Sequence, residues 1–131
     1  MRPLTVSEVA RQASVNPATV RFYERKKLLP SPSRTAAGYR HYPAEAVRRL
    51  RFIKHAQELG FTLKEIEQLL NLTEQRATSA EVCAVTAAKI AAIDEKIRQL
   101  RKFRSTLQRL TDSCNKRGST QDCVIIRHFY A

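Results

Sequence analysis

Three cysteines are the residues in this chain best suited to chemistry: Cys83, Cys114 and Cys123. Cys114 and Cys123 flank a polar loop that holds Asn115, Lys116, Arg117 and Gly118. A core role has little support in such a loop, so the pair reads as metal-binding or reactive thiols. Thiolate sulfur selects soft ions over the abundant hard cations. Lys116 and Arg117, if near, would favour the thiolate form and offset its charge. An odd number of cysteines leaves one over from any internal bridge, and in a reducing compartment free thiols or metal ligands are the expected state. An oxidant-responsive thiol pair is the competing chemistry. Cys83 alone is as readily a buried structural cysteine. His41, His55 and His128 are scattered and form no ligand spacing.

The element that must carry these thiols is the stretch from Ser79 to Asp112, which contains no Pro and no Gly. Ile90, Ile93, Ile97, Leu100, Phe103, Leu107 and Leu110 recur at steps of three and four, the spacing of one helix face. The remaining positions are charged or polar, among them Asp94, Glu95, Lys96, Arg98, Arg101 and Arg104. A helix of some thirty residues is about 45 Å long. One small domain cannot cover it, so the stripe predicts a homodimer through Ile90, Ile93, Ile97, Leu100 and Leu107.

The chain of 131 residues suits one modest domain plus an extended element. Its net charge is +12, from 24 Lys and Arg against 12 Asp and Glu. Between Arg21 and Lys54 ten basic residues face only Glu24 and Glu45. That clustering points to a polyanion, nucleic acid first. No apolar run approaches the ~18 residues that cross a bilayer. The N-terminus carries no apolar signal core. A soluble, cytoplasmic protein with no membrane partner is expected.

Ahead of the long stretch the chain reads as a run of short helices. Thr5 or Ser7 can cap the first, with Glu8 three residues after Thr5. Val6, Val9, Ala10 and Ala13 form its apolar face, and Ser14-Val15-Asn16 is a tight turn. Asn16 can cap the second helix, with Pro17 at its first position. Val20, with Phe22 or Tyr23, faces inward, while Arg21, Arg25 and Lys26 can face out. Two short helices joined by a tight turn, the second one basic, make a helix-turn-helix. The prolines of residues 30–32 exclude a long helix, and Tyr39-Arg40-His41-Tyr42 alternates like a strand, which predicts a two-stranded wing. A third helix runs from Ala44 to Leu59 and is ended by Gly60. Thr62 caps a fourth, with Glu65 completing a capping box. After Asp112 come a loop, Ser113 to Asp122, and a short apolar tail.

At these residues the sequence resembles the MerR family of bacterial transcriptional regulators. The resemblance is carried by Val20-Arg21-Phe22-Tyr23-Glu24-Arg25, Leu28-Leu29-Pro30, Gly38-Tyr39-Arg40-His41-Tyr42 and Leu59-Gly60-Phe61-Thr62-Leu63-Lys64-Glu65-Ile66. It implies a mainly α protein. A winged helix-turn-helix DNA-binding domain over residues 1–72 would be followed by a hinge at 73–78. A dimerisation helix at 79–112 would form an antiparallel coiled coil, and residues 113–131 would make the effector-binding loop and tail. It also implies a palindromic promoter in the bacterial nucleoid, bound by Asn16, Thr19, Arg21 and Tyr23 from the second helix. Arg34, Tyr39, Arg40 and Lys54 would grip phosphates. The effector shifts the bound DNA to an underwound, bent form that RNA polymerase can use.

The last third is similar to the metal-sensing branch, whose loop opens and closes with a cysteine, here Cys114 and Cys123. Divalent-ion sensors of that branch carry another cysteine at the start of the long helix, contributed by the other subunit. Here that position is Ser79, as in sensors of monovalent coinage metals. Cys83 lies one turn later on the same face. Two thiolates favour linear Cu(I), Ag(I) or Au(I), the expected effectors. A third, from Cys83 of the partner subunit, would suit Hg(II) or Pb(II), and Zn(II) or Cd(II) would want a fourth donor. A thiol redox sensor remains the rival reading. An iron–sulfur cluster would want four cysteines of one chain. Multidrug sensing would want a further ligand-binding domain, and no nucleophile–base pair or phosphate-binding glycine loop supports an enzyme.

Overall fold

The structure, a computed structural model, describes residues 3–30, 32–34, 38 and 40–131. Local capping fixes where its first helices begin. Helix α1 (Val6–Ala13) starts at Thr5, whose Oγ1 accepts the Glu8 amide while the Glu8 carboxylate accepts the Thr5 amide, both at 3.2 Å. Ser14 ends it in the left-handed region (φ 58°), returning its N–H to the carbonyls of Ala10 and Arg11. Helix α2 (Pro17–Arg25) follows at once, and Asn16 Oδ1 accepts the Thr19 amide at 2.8 Å. Helix α3 (Glu45–Glu58) gives way through Gly60, at φ 89°, to helix α4 (Leu63–Glu74). There Thr62 and Glu65 close the second expected capping box.

Between α2 and α3 lies a two-stranded antiparallel ladder. Strand β1 (Ser33–Arg34) pairs with β2 (Arg40–His41), with Ser33 opposite His41 and Arg34 opposite Arg40. Leu4 and Tyr42 form a further bridge, joined by backbone hydrogen bonds of 2.8 and 2.6 Å. The core beneath takes Val9 and Ala13 from α1, Val20 and Tyr23 from α2, Leu50 and Ile53 from α3, and Ile66 and Leu70 from α4. Leu28, Leu29 and Tyr42 complete it from the connecting segments. Full burial of each aliphatic side chain stabilises by roughly 1.5–3 kcal/mol.

Helix α4 runs on to Glu74, so the connection to the long helix is confined to residues 75–78, with Arg76 at φ 54°. Helix α5 spans Ser79–Asp112. By compactness the chain forms two units, Met1–Val82 and Cys83–Ala131, divided just inside α5. Past α5 a 3-10 turn (Thr120–Asp122) leads into helix α6 (Val124–Tyr130). The sequence predicted only a short apolar tail here. Val124, Ile125 and Ile126 are weak helix formers, and the N-cap position is held by Cys123 rather than by Ser, Thr, Asn or Asp. Among the described residues no helix is long and apolar enough to cross a membrane.

Tyr42 is fully buried and its hydroxyl donates to Glu24 Oε2 at 2.6 Å, tying the foot of the wing to α2. Replacing Tyr42→Phe keeps the ring and removes that hydrogen bond. It should lower urea-unfolding stability by about 1 kcal/mol. Ile53→Ala, which opens a cavity, should lower it by roughly 2–5 kcal/mol. A Tyr42→Phe protein as stable as the parent would show that the bond contributes nothing.

Candidate functional site

Two groups of side chains stand out, one basic and one thiol. Helix α2 turns Val20 and Tyr23 into the core and leaves Arg21, Arg25 and Lys26 exposed. The Asn16 oxygen accepts both the amide (2.8 Å) and the hydroxyl (3.1 Å) of Thr19, so both side chains act first in fixing the start of α2. Tyr23, expected from the sequence to touch DNA, is a core residue. It is 7% exposed and its hydroxyl donates to Gln57 Oε1 at 2.7 Å. Its ring is enclosed and its polar tip is already bonded, so its work is to brace α2 against α3. Lys54, also expected on phosphate, donates from Nζ to the carbonyl of Ser14 at 3.3 Å. Arg51 does the same to Gln12 at 2.9 Å. Both α3 cations meet the C-terminal end of α1, where free carbonyls carry partial negative charge. Their spacing in sequence gave no sign of that bracing role. Arg34 and Arg40 stand opposite one another in the ladder, and Tyr39 lies outside the described residues.

The thiols are gathered by the end of α5 and the start of α6. The Cys114 amide donates to the Thr111 carbonyl at 3.1 Å, which keeps it close to the last turn of α5. Asn115 Oδ1 accepts the Arg117 amide at 2.9 Å, and Lys116 (φ 61°) and Gly118 (φ 90°) turn the chain back. The Thr120–Asp122 turn then delivers Cys123 to the N-cap position of α6. Cys114 and Cys123 face the same cavity. Both are half-buried, and they line a cavity of about 260 Å³ with Lys116, Arg117, Asp122, Val124 and Arg127.

The Cys123 thiol is held below its ordinary pKa. The Ile126 amide contributes most, then the Ile125 amide. Burial opposes them, and Cys114 and the positive charge of Arg127 add smaller pulls in the same direction. The sequence assigned this role to Lys116 and Arg117. They line the cavity, but the cation that acts on Cys123 is Arg127, four residues on along α6. Its signal is hidden because β-branched Val124, Ile125 and Ile126 give no local sign of a helix. Cys83 is exposed on α5. Among the described residues no group of three His, Cys, Asp or Glu side chains forms a metal-binding cluster. The cavity itself offers two thiols, and such a pair fits a soft ion better than a hard one.

Over residues 4–73 the chain matches the family described as MerR HTH family regulatory protein, and over residues 47–110 the one described as MerR, DNA binding. It is 40% identical over 122 residues to the mercuric resistance operon regulatory protein of Bacillus cereus, covering 92% of each chain. It is 38% identical over 125 residues to the HTH-type transcriptional regulator CueR of Yersinia pestis, covering 94% of this chain and 88% of that one. Among solved structures it is similar to the transcription regulator PbrR691 from Ralstonia metallidurans CH34 in complex with lead(II). The TM-score is 0.84 at 34% identity, covering 96% of this chain and 98% of that one.

The amide-capped thiol makes a measurable demand. Alkylation of Cys123, followed by peptide mass spectrometry across pH, should rise with a midpoint below the ordinary thiol value. Cys114→Ser should move that midpoint upward, because one of the groups that favours the thiolate is lost. A midpoint at or above the ordinary value would show that the α6 amides do not act on this sulfur.

Proposed function

The chain belongs to the MerR family of helix-turn-helix regulatory proteins, and on that premise we propose that it is a metal-responsive transcriptional regulator. It binds a palindromic promoter as a homodimer and activates transcription by distorting the DNA when a thiophilic ion binds. The observation that carries the metal reading is the Cys114–Cys123 pair, gathered in one cavity with the Cys123 thiol held below its ordinary pKa. The relatives named for mercuric resistance and bound to lead support a metal as the effector class.

The ion favoured is monovalent, Cu(I), Ag(I) or Au(I). One chain offers two thiols in one cavity, and two thiolates suit linear coordination. Ser79 stands where a divalent sensor would carry its further cysteine. The second reading is Hg(II) or Pb(II), with Zn(II) and Cd(II) needing still another donor. Its support is the exposed Cys83 on the same helix as the apolar stripe, available to a second copy. The bound ion would bridge two segments otherwise linked only by a loop. Cys114 adjoins the end of α5, so the state of the loop is passed to the helix that spans the dimer.

At the DNA, Arg21 with Asn16 and Thr19 serves the major groove, and Arg34, Tyr39 and Arg40 serve the phosphates. Tyr23 and Lys54 contribute by holding α2 and the turn before it. RNA polymerase is the partner that uses the distorted promoter. The regulators among its relatives are not enzymes, and no enzymatic role is proposed.

A promoter fusion assayed against a panel of metals separates the readings. Cys114→Ser and Cys123→Ser should each abolish activation, and Cys83→Ser should leave the response to Cu(I) or Ag(I) intact. Loss of response in Cys83→Ser, or activation by divalent ions alone, would make the three-thiolate site correct. Activation that survives Cys114→Ser would remove metal sensing at this loop altogether. For DNA, Arg21→Ala and Arg40→Ala should each weaken operator binding. Arg40→Ala should also flatten the salt dependence by about one unit of slope. An unchanged slope would exclude the phosphate contact.

A further inference from the structure

Helix α4 does not fray into the connection that follows it. The Arg76 amide donates to the Thr73 carbonyl at 3.2 Å, and the Ala77 amide to the Leu72 carbonyl at 3.0 Å. With Arg76 at φ 54° these bonds make a Schellman motif, built on arginine where glycine is the usual residue. Thr78 caps α5 directly afterwards. Its Oγ1 accepts the Glu81 amide at 3.3 Å, and its carbonyl accepts the Val82 amide at 3.3 Å. Residues 72–82 therefore form a hydrogen-bonded elbow rather than a loose linker, and all of them belong to the Met1–Val82 unit.

The end of α4 is also held from the side. Arg49 of α3 pairs with Glu74, the last residue of α4, at 2.8 Å. The pairs Arg48–Glu45 and Arg98–Glu95 each join residues three apart on one exposed helix surface, where such contacts contribute little. Arg49–Glu74 crosses from one helix to another, and the Arg49 side chain is only 22% exposed. Its Nε is buried with no hydrogen-bond partner among the described residues, so this cation depends on Glu74 for its compensation. The same helix α3 reaches the other way. Arg51 and Lys54 brace the turn ahead of α2, and Gln57 accepts the Tyr23 hydroxyl. Side-chain bonds thus run from the elbow through α3 to α2.

We propose that the Arg49–Glu74 pair is the positioning contact through which a displacement of α5 reaches the DNA-reading helix α2. The inference rests on the metal-responsive reading above and adds to it the route inside the DNA-binding unit. A bend held by hydrogen bonds turns α4 when the first turn of α5 is moved, and the ion pair obliges α3 to follow. With the pair broken, the end of α4 slides over α3 and absorbs the displacement. The side chains that meet the operator keep their places, so binding to DNA without the ion is unchanged.

The test compares Glu74→Gln, Arg49→Gln and the double variant in the full-length chain, with whichever of Cu(I), Ag(I), Hg(II) or Pb(II) activates the parent. Each single variant should lose about fivefold in metal-induced promoter activity. The double variant should lose no more than one single, because both changes break the same contact. Operator affinity without metal should match the parent's, a result that a general loss of structure would not give. Hydrogen exchange supplies a readout free of any metal: the Arg76 and Ala77 amides should exchange as slowly as those of α4. If Arg49→Gln folds poorly, Glu74→Gln, which alters an exposed carboxylate, carries the test alone. Full activation in Glu74→Gln, losses that add in the double variant, operator affinity that falls in step with activation, or loop-like exchange at Arg76 and Ala77 would each overturn the proposal while metal sensing stands. A parent that none of these ions activates would overturn the metal reading itself, and this inference with it.

Discussion

The uncovered apolar face of α5 is the constraint on which the rest of the molecule depends. Ile90, Leu100, Phe103 and Leu107 are each at least half exposed, along a helix of 34 residues. Single exposed hydrophobes are ordinary on a protein surface, but a continuous stripe from Ile90 to Leu107, about 25 Å long, is not. Association of two copies loses some 4–15 kcal/mol of rigid-body freedom. Burying the stripe from both sides recovers that through many small contributions, each up to roughly 1.5–3 kcal/mol per side chain. On this reading pairing comes first. A palindromic operator is then the natural target, since its two half-sites repeat the two-fold axis of the protein.

The reading head solves a different problem. A basic helix has to be held rigidly although its cations repel one another. The hydrogen bonds that hold α2 are made by residues other than its exposed arginines. Tyr23 reaches Gln57, Tyr42 reaches Glu24, and Asn16 caps the first turn. Arg51 and Lys54 sit on the carbonyl end of α1, so two positive charges of α3 are absorbed in bracing the turn. Arg21, Arg25 and Lys26 are left exposed for the polyanion.

Much of this was legible because it is written in short-range spacing. Thr5 with Glu8, Asn16 with Pro17, and Thr62 with Glu65 each declare a helix start within three residues. The period of Ile90, Ile93, Ile97 and Leu100 declares the long helix and the side that needs a cover. What was hidden depends on contacts distant in sequence. Tyr23 and Lys54 look like surface groups until Gln57 and Ser14 are brought to them across 34 and 40 residues. Arg127 became part of the thiol site only once residues 124–130 were seen as a helix. The nature of the ion depends on how many sulfurs converge, and one of the three lies on the surface that a second copy would meet.

The position of Cys123 at the head of α6 has a consequence for the competition between proton and ion. Thiols must lose their protons to bind a soft metal, so ion affinity is coupled to pH through the protons displaced. A sulfur whose thiolate is stabilised by the Ile125 and Ile126 amides gives up its proton at a lower pH than an ordinary thiol. The acidity at which protons begin to displace a soft ion from it moves down in the same direction. A site of this kind holds its ion into more acidic surroundings than one built on ordinary thiols.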